Sequence, residues 1–351
     1  MTVQTALPRQ SRSDHVAIEG RRRSRRPSDA SPWRSEADRR AGHRLFAIPL
    51  TVIAILLQWN VSLGLPGQVA FMTMVVATLG IPHGALDDLL ALPYLPARWG
   101  LARLPVFVAA YLTVSTAVVA IWLLAPIPSL LCFLILSIIH FGSGDAPPHR
   151  EGSSRWISVA SRGFLPILLP PLLHPVPVAE IFGWLVGGPV AASTVFQIAA
   201  VVLPLALIAW AAELIGIIRQ RGNNTDGWFE ASEMGALALL FALTPPLFSF
   251  AIYFGFWHST RHILDIVERL PERPHRSKVS TFLALASPLT LATLVMAGAA
   301  VFALTVSGVD LPRGTATVVF IGLAALTVPH MILTAANQDG ELERRPAVLS
   351  T

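Results

Sequence analysis

The sequence predicts an all-α protein, a polytopic transmembrane helical bundle of about 8–10 spans preceded by a disordered, arginine-rich N-terminal tail. The chain has 351 residues, of which 53% are hydrophobic and only 13% are charged. Its mean hydropathy is +0.60. Because an ordinary soluble domain carries about 25% charged residues, the chain has too little polar surface to cover a water-soluble body of this size.

The first element is a basic tail, predicted over residues 1–43. Residues 1–44 hold eleven arginines against five acidic residues, and a dense run extends from Arg21 to Arg26. A segment with so few apolar groups to bury is expected to be disordered. The basic tail has two interpretations. It could contact nucleic acid or anionic lipid, or it could be an orientation signal beside the first span. We favour the orientation signal alone, with no nucleic-acid partner.

Apolar runs separated by turn residues or charges then predict the transmembrane domain, over residues 44–338. A cleaved signal peptide is not expected, because the first run is long enough to span a bilayer and lacks a small-residue cleavage site. Pro245 and Pro246 either break one long helix or turn a tight hairpin. A polar C-terminal tail is predicted over residues 339–351. The predicted spans are 45–64, 67–90, 104–125, 128–142, 156–174, 193–218, 232–245, 247–268, 280–305 and 314–336.

Loop charges predict the orientation. With a cytoplasmic N-terminus, each inside segment is basic, and Arg150 and Arg162 belong to one of them. The outside connections at 64–67, 125–128 and 174–192 carry almost no basic residue, and Arg313 is the exception. This positive-inside pattern predicts a multi-pass protein of the cell (plasma) membrane with both termini cytoplasmic.

Two rare residue types exclude some classes of protein. The single cysteine, Cys132, excludes an intrachain disulfide framework and a cysteine-clustered metal site. The single lysine, Lys278, falls in a polar loop. A retinal Schiff base within the membrane is therefore excluded, and the chain is not itself a rhodopsin.

Histidines interrupt the apolar runs. Five of the ten, including His43 in the tail, have ordinary surface interpretations, and the other five lie within predicted spans. A separation of four residues places His258 and His262 on one helical face, a natural pair of metal donors. All five lie at comparable depth on spans that run from outside to inside, so they can converge. These five are His83, His140, His258, His262 and His330.

Carboxylates follow three of these histidine groups. Asp87, Asp145 and Asp265 lie three to five residues from a histidine, a spacing that suits acceptors for the second ring N–H. A lone intramembrane histidine is often only an interhelical hydrogen-bond partner, worth about 0.6–2 kcal/mol. Four histidine-bearing helices at matched depth instead favour a shared metal or proton site. Imidazole donors suit Fe(II), Zn(II), Cu or haem iron.

These motifs resemble the Brp/Blh family of prokaryotic membrane β-carotene cleavage dioxygenases, which supply retinal to microbial rhodopsins. The resemblance extends over residues 81–331, and the histidine motifs occur in the family's order. The motifs are Pro82-His83-Gly84 with Asp87, His140-Phe141-Gly142 with Asp145, Trp257-His258-Ser259 through Arg261-His262, and Pro329-His330-Met331.

The resemblance implies a non-haem Fe(2+) site that cleaves the central double bond of β-carotene with O2 to give two molecules of retinal. Its ligands, and catalytic residues, would be His83, His140, His258 and His262, and His330 would be a further ligand or a donor behind the ligands. The partners would be the lipid bilayer and a rhodopsin that receives retinal. Aromatic side chains expected to line the substrate slot are Phe141, Tyr253, Phe254, Phe256 and Trp257.

Four alternatives remain open from the residues alone. A membrane lipid desaturase or hydroxylase would need a histidine-rich di-iron cluster, and the chain has no adjacent histidine pair. A b-type haem carrier would place bis-histidine haem between helices. A transporter would relay protons or ions through residues such as His83, Asp87, Arg261 and Asp265. A protein that binds carotenoid without cleaving it would keep the same motifs.

Overall fold

The computed structural model describes residues 32–148, 150–219, 226–271 and 275–341. All regular structure in these ranges is helical and no β-strand occurs among them, which confirms the predicted fold class. The α-helices are α1 Pro32–Asn60, α2 Leu65–Val75, α3 Ile81–Gly84, α4 Asp87–Ala91, α5 Arg103–Leu124, α6 Pro126–Asp145, α7 Gly152–Leu173, α8 Pro175–Val186, α9 Ala192–Arg219, α10 Asp226–Leu243, α11 Pro246–Ile252, α12 Thr260–Arg269, α13 Lys278–Val306 and α14 Leu311–Glu341.

Two π-helical segments join shorter α-helices into continuous rods. Val76–Gly80 links α2 to α3, and Tyr253–Ser259 links α11 to α12. Short 3-10 turns occupy Leu92–Tyr94 and Ala97–Ala102. Single π-turns within α-helices are rare, and those that occur often lie at functional sites. These two segments are therefore the first places to look for a functional site.

Eight helices of the described chain are long and apolar enough to cross a membrane. This number lies within the predicted range and indicates a multi-pass membrane protein. The other two predicted spans are also helical, but α10 buries Glu230 and Glu233, and the rod from α11 to α12 ends in a charged segment. The eight are Arg39–Asn60, Leu65–Tyr94, Ala97–Leu124, Pro126–Asp145, Gly152–Leu173, Ala192–Arg219, Lys278–Val306 and Leu311–Ala336.

Two local predictions differ from the structure. Residues 32–43, expected in the disordered tail, form the first turns of α1, while residues 1–31 lie outside the described residues. The outside connection 174–192, expected to be a loop, contains α8. Its PVPV start supplies a proline at the first helical turn, where no N–H donor is missed. At Pro245 and Pro246, where two outcomes were left open, the helix is interrupted: α10 ends at Leu243 and α11 begins at Pro246.

Two arginines that were counted as inside-loop charges are buried. Arg162 pairs with Glu213 at 2.6 Å and Arg150 pairs with Glu230 at 3.2 Å. All four side chains are at most 4% exposed. A buried arginine is stabilised by a carboxylate partner, so these residues tie α7 and the segment just before it to α9 and α10.

Glycines bring α6 and α7 into backbone contact. A Cβ atom at Gly142 would overlap the carbonyl oxygen of Val159, and one at Gly163 would overlap the carbonyl oxygen of Ile138. Small residues allow such close approach between membrane helices, where packing replaces the hydrophobic driving force. This crossing fixes α6, the helix that carries His140.

We predict that Gly163→Ala destabilises the protein, because the added methyl must displace the α6 backbone rather than a flexible side chain. Overpacking of this kind costs about 1–3 kcal/mol or more. Gly298→Ala on α13 is the matched control, since no atom lies within 4 Å of a Cβ built there. Thermal unfolding in detergent should show a lower midpoint for Gly163→Ala only, and equal midpoints would contradict the crossing.

Candidate metal centre

Five histidines from four parts of the chain converge in one cluster. The His83 ring lies centrally, with its centroid 5.6–6.5 Å from the centroids of the other four rings. His83, His258 and His330 are at most 9% exposed, and His140 and His262 are partly buried. The structure therefore brings together all five histidines that the sequence predicted to converge.

Three of these histidines present their nitrogen atoms to a common point. One donor atom each from His83, His140 and His258 lies within 4.8 Å of the other two. The Nε2 atoms of His140 and His258 are 3.2 Å apart. Donor atoms at this separation suit ligands of a single ion.

His262 supplies an unsatisfied nitrogen beside this triad. Its Nε2 atom is buried and has no hydrogen-bond partner among the described residues, and its ring centroid is 5.7 Å from that of His83. An unpaired buried polar atom costs about 1–3 kcal/mol. The unpaired Nε2 of His262 therefore favours a bound group that accepts its lone pair. The donor chemistry therefore fits a metal ion.

Both π-helical segments position histidines. His258 lies within Tyr253–Ser259, and His83 lies three residues beyond the end of Val76–Gly80, with its Nδ1 bonded to the Gly80 carbonyl oxygen. The rods cross closely, because a Cβ atom at Gly80 would come within 2.5 Å of the Phe254 ring. The wider π-turns and this crossing place imidazoles from two rods in contact.

Asp87 fixes the orientation of His330. The Nδ1 atom of His330 lies 2.8 Å and 3.0 Å from the two carboxylate oxygens of Asp87. Tyr111 donates its hydroxyl to Asp87 Oδ2 at 3.0 Å. Because Nδ1 donates to the carboxylate, the lone pair is left on Nε2. His330 therefore has a carboxylate partner from another helix, although its own sequence neighbourhood has none.

Asp145 lies behind His258. Its Oδ1 atom is 3.5 Å from His258 Nδ1, which is long for a hydrogen bond but within ion-pair distance. Tyr253 donates to Asp145 Oδ2 at 2.7 Å, and Arg261 Nη1 donates to Oδ1 at 3.1 Å. The carboxylate is 4% exposed and is held from two sides.

A chain of buried charges supports Asp145 and was not predicted. Arg261 also donates to Glu233 at 2.8 Å, and Glu233 accepts from Arg44 at 2.7 Å. Arg40 donates to the backbone oxygen of Asp145 at 3.2 Å. The sequence signal for these buried charges was the acidic residue Glu233 within an apolar stretch. The partners of Glu233 lie far away in sequence.

The basic segment before the first span is therefore more than an orientation signal. Arg40 and Arg44, which bracket the predicted tail boundary, are 7% and 6% exposed. His43, expected at the surface, is 5% exposed, and its Nε2 is 2.8 Å from the Phe256 carbonyl oxygen. Arg40 therefore anchors α1 to α6, Arg44 anchors it to α10, and His43 anchors it to the rod that carries His258.

Asp265 does not lie behind a histidine, although its spacing from His262 indicated that it would. It accepts from Nε and Nη2 of Arg39 at 3.3 Å and 3.2 Å, and no hydrogen bond joins it to a histidine in the part of the chain described. Although Asp265 is only three residues beyond His262, its side chain meets Arg39 of α1, a helix that packs against α12. Asp265 acts in the α1 contact.

A large apolar cavity of about 810 Å³ adjoins the cluster. His83, His140 and His330 line it. Phe141 and Phe254 also line it, whereas Tyr253, Phe256 and Trp257 do not contribute to its wall. Tyr253 bonds to Asp145 and Trp257 to Thr51 instead. A site of this kind presents imidazoles to an apolar molecule shielded from water.

Comparisons with known proteins agree with this site. The model of the family described as "Beta-carotene 15,15'-dioxygenase" matches residues 73–336, which include all five histidines. A "Beta-carotene 15,15'-dioxygenase" of an uncultured marine bacterium, 66A03, is 33% identical over 268 residues, 74% of this chain and 90% of that protein. The "Probable beta-carotene 15,15'-dioxygenase Blh" of Halobacterium salinarum is 29% identical over 313 residues, 81% of this chain and 88% of that protein.

No solved structure matches the chain. The family match covers the greater part of the chain and the whole histidine cluster, and both relatives align over most of their own length. The chain belongs to the β-carotene 15,15'-dioxygenase family.

Proposed function

We propose that the protein is a membrane-embedded non-haem iron dioxygenase that cleaves the central double bond of β-carotene with O2 to give two molecules of retinal. The observation that carries the proposal is the convergence of five histidines beside an apolar cavity, with three of them, His83, His140 and His330, on its wall. The names of the relatives support the substrate and the reaction. The reaction balances without a reductant, since one carbon–carbon double bond and one O2 become two carbonyl groups.

The residues that would hold Fe(2+) are His83, His140 and His258, with His262 and His330 beside them. When bound, the iron would supply binding and activation of O2 next to the polyene. An all-imidazole donor set is compatible with Fe(II). The unpartnered Nε2 of His262 and the directed Nε2 of His330 extend the set beyond the triad.

The protein's own groups orient the imidazoles. Asp87 and Tyr111 hold His330, and Asp145 with Arg261 and Tyr253 backs His258. Carboxylates of this kind fix the tautomer and ring direction of a ligand and raise its basicity. We assign these carboxylates no proton transfer, because the overall cleavage neither consumes nor releases a proton.

The cavity wall holds the substrate and excludes water. The Phe254 and Phe141 rings both lie next to His258, with centroids 6.1 Å and 5.0 Å from it, and both face the cavity. A long polyene has no hydrogen-bonding groups, so an apolar slot at the histidines suits it and disfavours polar substrates. Exclusion of water protects reactive oxygen chemistry from side reactions.

The alternatives fit the geometry less well. Ring centroids only 4.8 Å apart, as for His140 and His258, leave no space for a haem between the imidazoles. A single tight donor group matches one ion better than the two ions of a lipid desaturase. Arg261, the charge best suited to a transporter relay, is already paired with Asp145 and Glu233.

We predict that His258→Ala removes bound iron and retinal formation together, since His258 belongs to the donor triad. The matched control is His275→Asn. His275 is exposed, makes none of the ring contacts of the cluster, and has a positive φ of 65° that tolerates asparagine. Metal analysis of the purified proteins and chromatography of carotenoids from cells that accumulate β-carotene give the two readouts. An iron-bearing, active His258→Ala protein would remove the site assignment.

We also predict that Asp87→Asn weakens iron binding by about 10–100-fold, the usual effect of losing a carboxylate behind a ligating histidine. Competition with a chelator measures the affinity. Asp310→Asn is the control, because Asp310 is exposed and its Oδ2 only accepts the Arg313 backbone N–H. Unchanged iron affinity in a folded Asp87→Asn protein would show that Asp87 does not act through His330.

A further inference from the structure

The short helix α8 closes the end of the cavity remote from the histidines. Four of its residues line the cavity wall, namely Val178, Ile181, Phe182 and Leu185. Trp122, itself 2% exposed, donates its indole N–H to the Leu185 carbonyl oxygen at 2.9 Å. Gly187, with φ of 74°, then ends the helix. The helix is therefore fixed in place at both its apolar face and its C-terminus.

The length of the cavity can be measured along the helices that form its walls. Both His140 and Leu130 of α6 line it, and their separation of ten positions corresponds to about 15 Å of helix. On α14, the lining extends from His330 to Thr317, which is about 20 Å. The cavity thus has a histidine end and an α8 end, separated by a distance on the scale of a long apolar chain.

The wall between the two ends is predominantly apolar, and a polyene has no group that could hydrogen-bond to the few hydroxyls within it, such as Ser137 and Thr327. The Ser115 hydroxyl donates to the Ala325 carbonyl oxygen, and Tyr111 is engaged by Asp87. The remaining lining is dominated by apolar side chains. A molecule without hydrogen-bonding groups can slide along such a wall, so only a steric stop can fix its position.

We propose that α8 is this stop, and that its distance from the histidines selects which double bond of a carotenoid is cleaved. The inference rests on the proposed function. One end of the carotenoid enters until its terminal ring meets Phe182 and Leu185, and the bond then beside the histidines reacts. The double bonds of a conjugated chain are chemically alike, so the length of this half-cavity decides among them. The reaction stays balanced, with one double bond and one O2 giving two carbonyl products: two aldehydes at a disubstituted double bond, and an aldehyde with a ketone at a methyl-substituted one.

Changing the stop should therefore change the products. Phe182→Ala and Leu185→Ala lengthen the α8 end, so the inserted fragment becomes longer than retinal and its partner carbonyl product shorter. Retinal should fall severalfold as a share of the products. Val176→Ala is the matched control, because Val176 lies on the same helix, is 69% exposed and does not line the cavity. It should still give retinal alone.

A second measurement needs no variant. The wild-type protein is given an acyclic carotenoid with the same number of carbons, whose open end is longer than a closed ring. With a fixed stop, the bond at the histidines lies nearer the inserted open end. Two carbonyl products of unequal chain length are therefore expected.

The outcomes separate the two proposals. Wild-type protein that leaves β-carotene intact would overturn the proposed function. Wild-type protein that makes retinal, combined with folded α8 variants that make only retinal or with equal cleavage of the acyclic carotenoid, would overturn the role of α8 alone. The proposal predicts two carbonyl products of unequal chain length in either experiment. It also predicts retinal alone from Val176→Ala.

Discussion

The need to satisfy buried imidazole nitrogens in an apolar bundle organises this protein. A polar atom in hydrocarbon must find a partner or pay a free-energy cost. Here five histidines share that requirement, with Asp87 and Asp145 behind two of them. Each carboxylate then needs its own donors, which come from Tyr111 and from Tyr253 with Arg261. The buried charge on Arg261 in turn requires Glu233, and Glu233 requires Arg44.

Local irregularity in the helices makes this arrangement possible. The two π-helical segments occur where the histidine-bearing rods cross, and glycines remove the side chains that would keep these rods apart. A Cβ atom at Gly144 would lie 2.9 Å from the His258 ring, so this glycine also makes room for that imidazole. An ordinary α-helical pair with larger residues would hold the imidazoles too far apart to share an ion.

The sequence predicted the helices and the five histidines because apolar length and polar interruptions are local signals. It could not locate their distant partners. Glu233 and Arg44 lie 189 positions apart, and no periodicity joins them. Asp265 has helical spacing from His262, yet it pairs with Arg39, because spacing fixes a helical face and not the neighbour that this face meets. The helix α8 was missed because a twelve-residue apolar segment is too short to be recognised as a span.

The central claim is that one O2 molecule is divided between the two halves of one carotenoid. The most direct measurement supplies the purified, iron-loaded protein with β-carotene and isotopically labelled O2, reduces the aldehydes at once to prevent exchange with water, and determines their mass. The account predicts that retinal is the sole cleavage product and that every molecule carries one labelled oxygen atom. Retinal in which half of the oxygen comes from water, or β-carotene that stays intact, would contradict it.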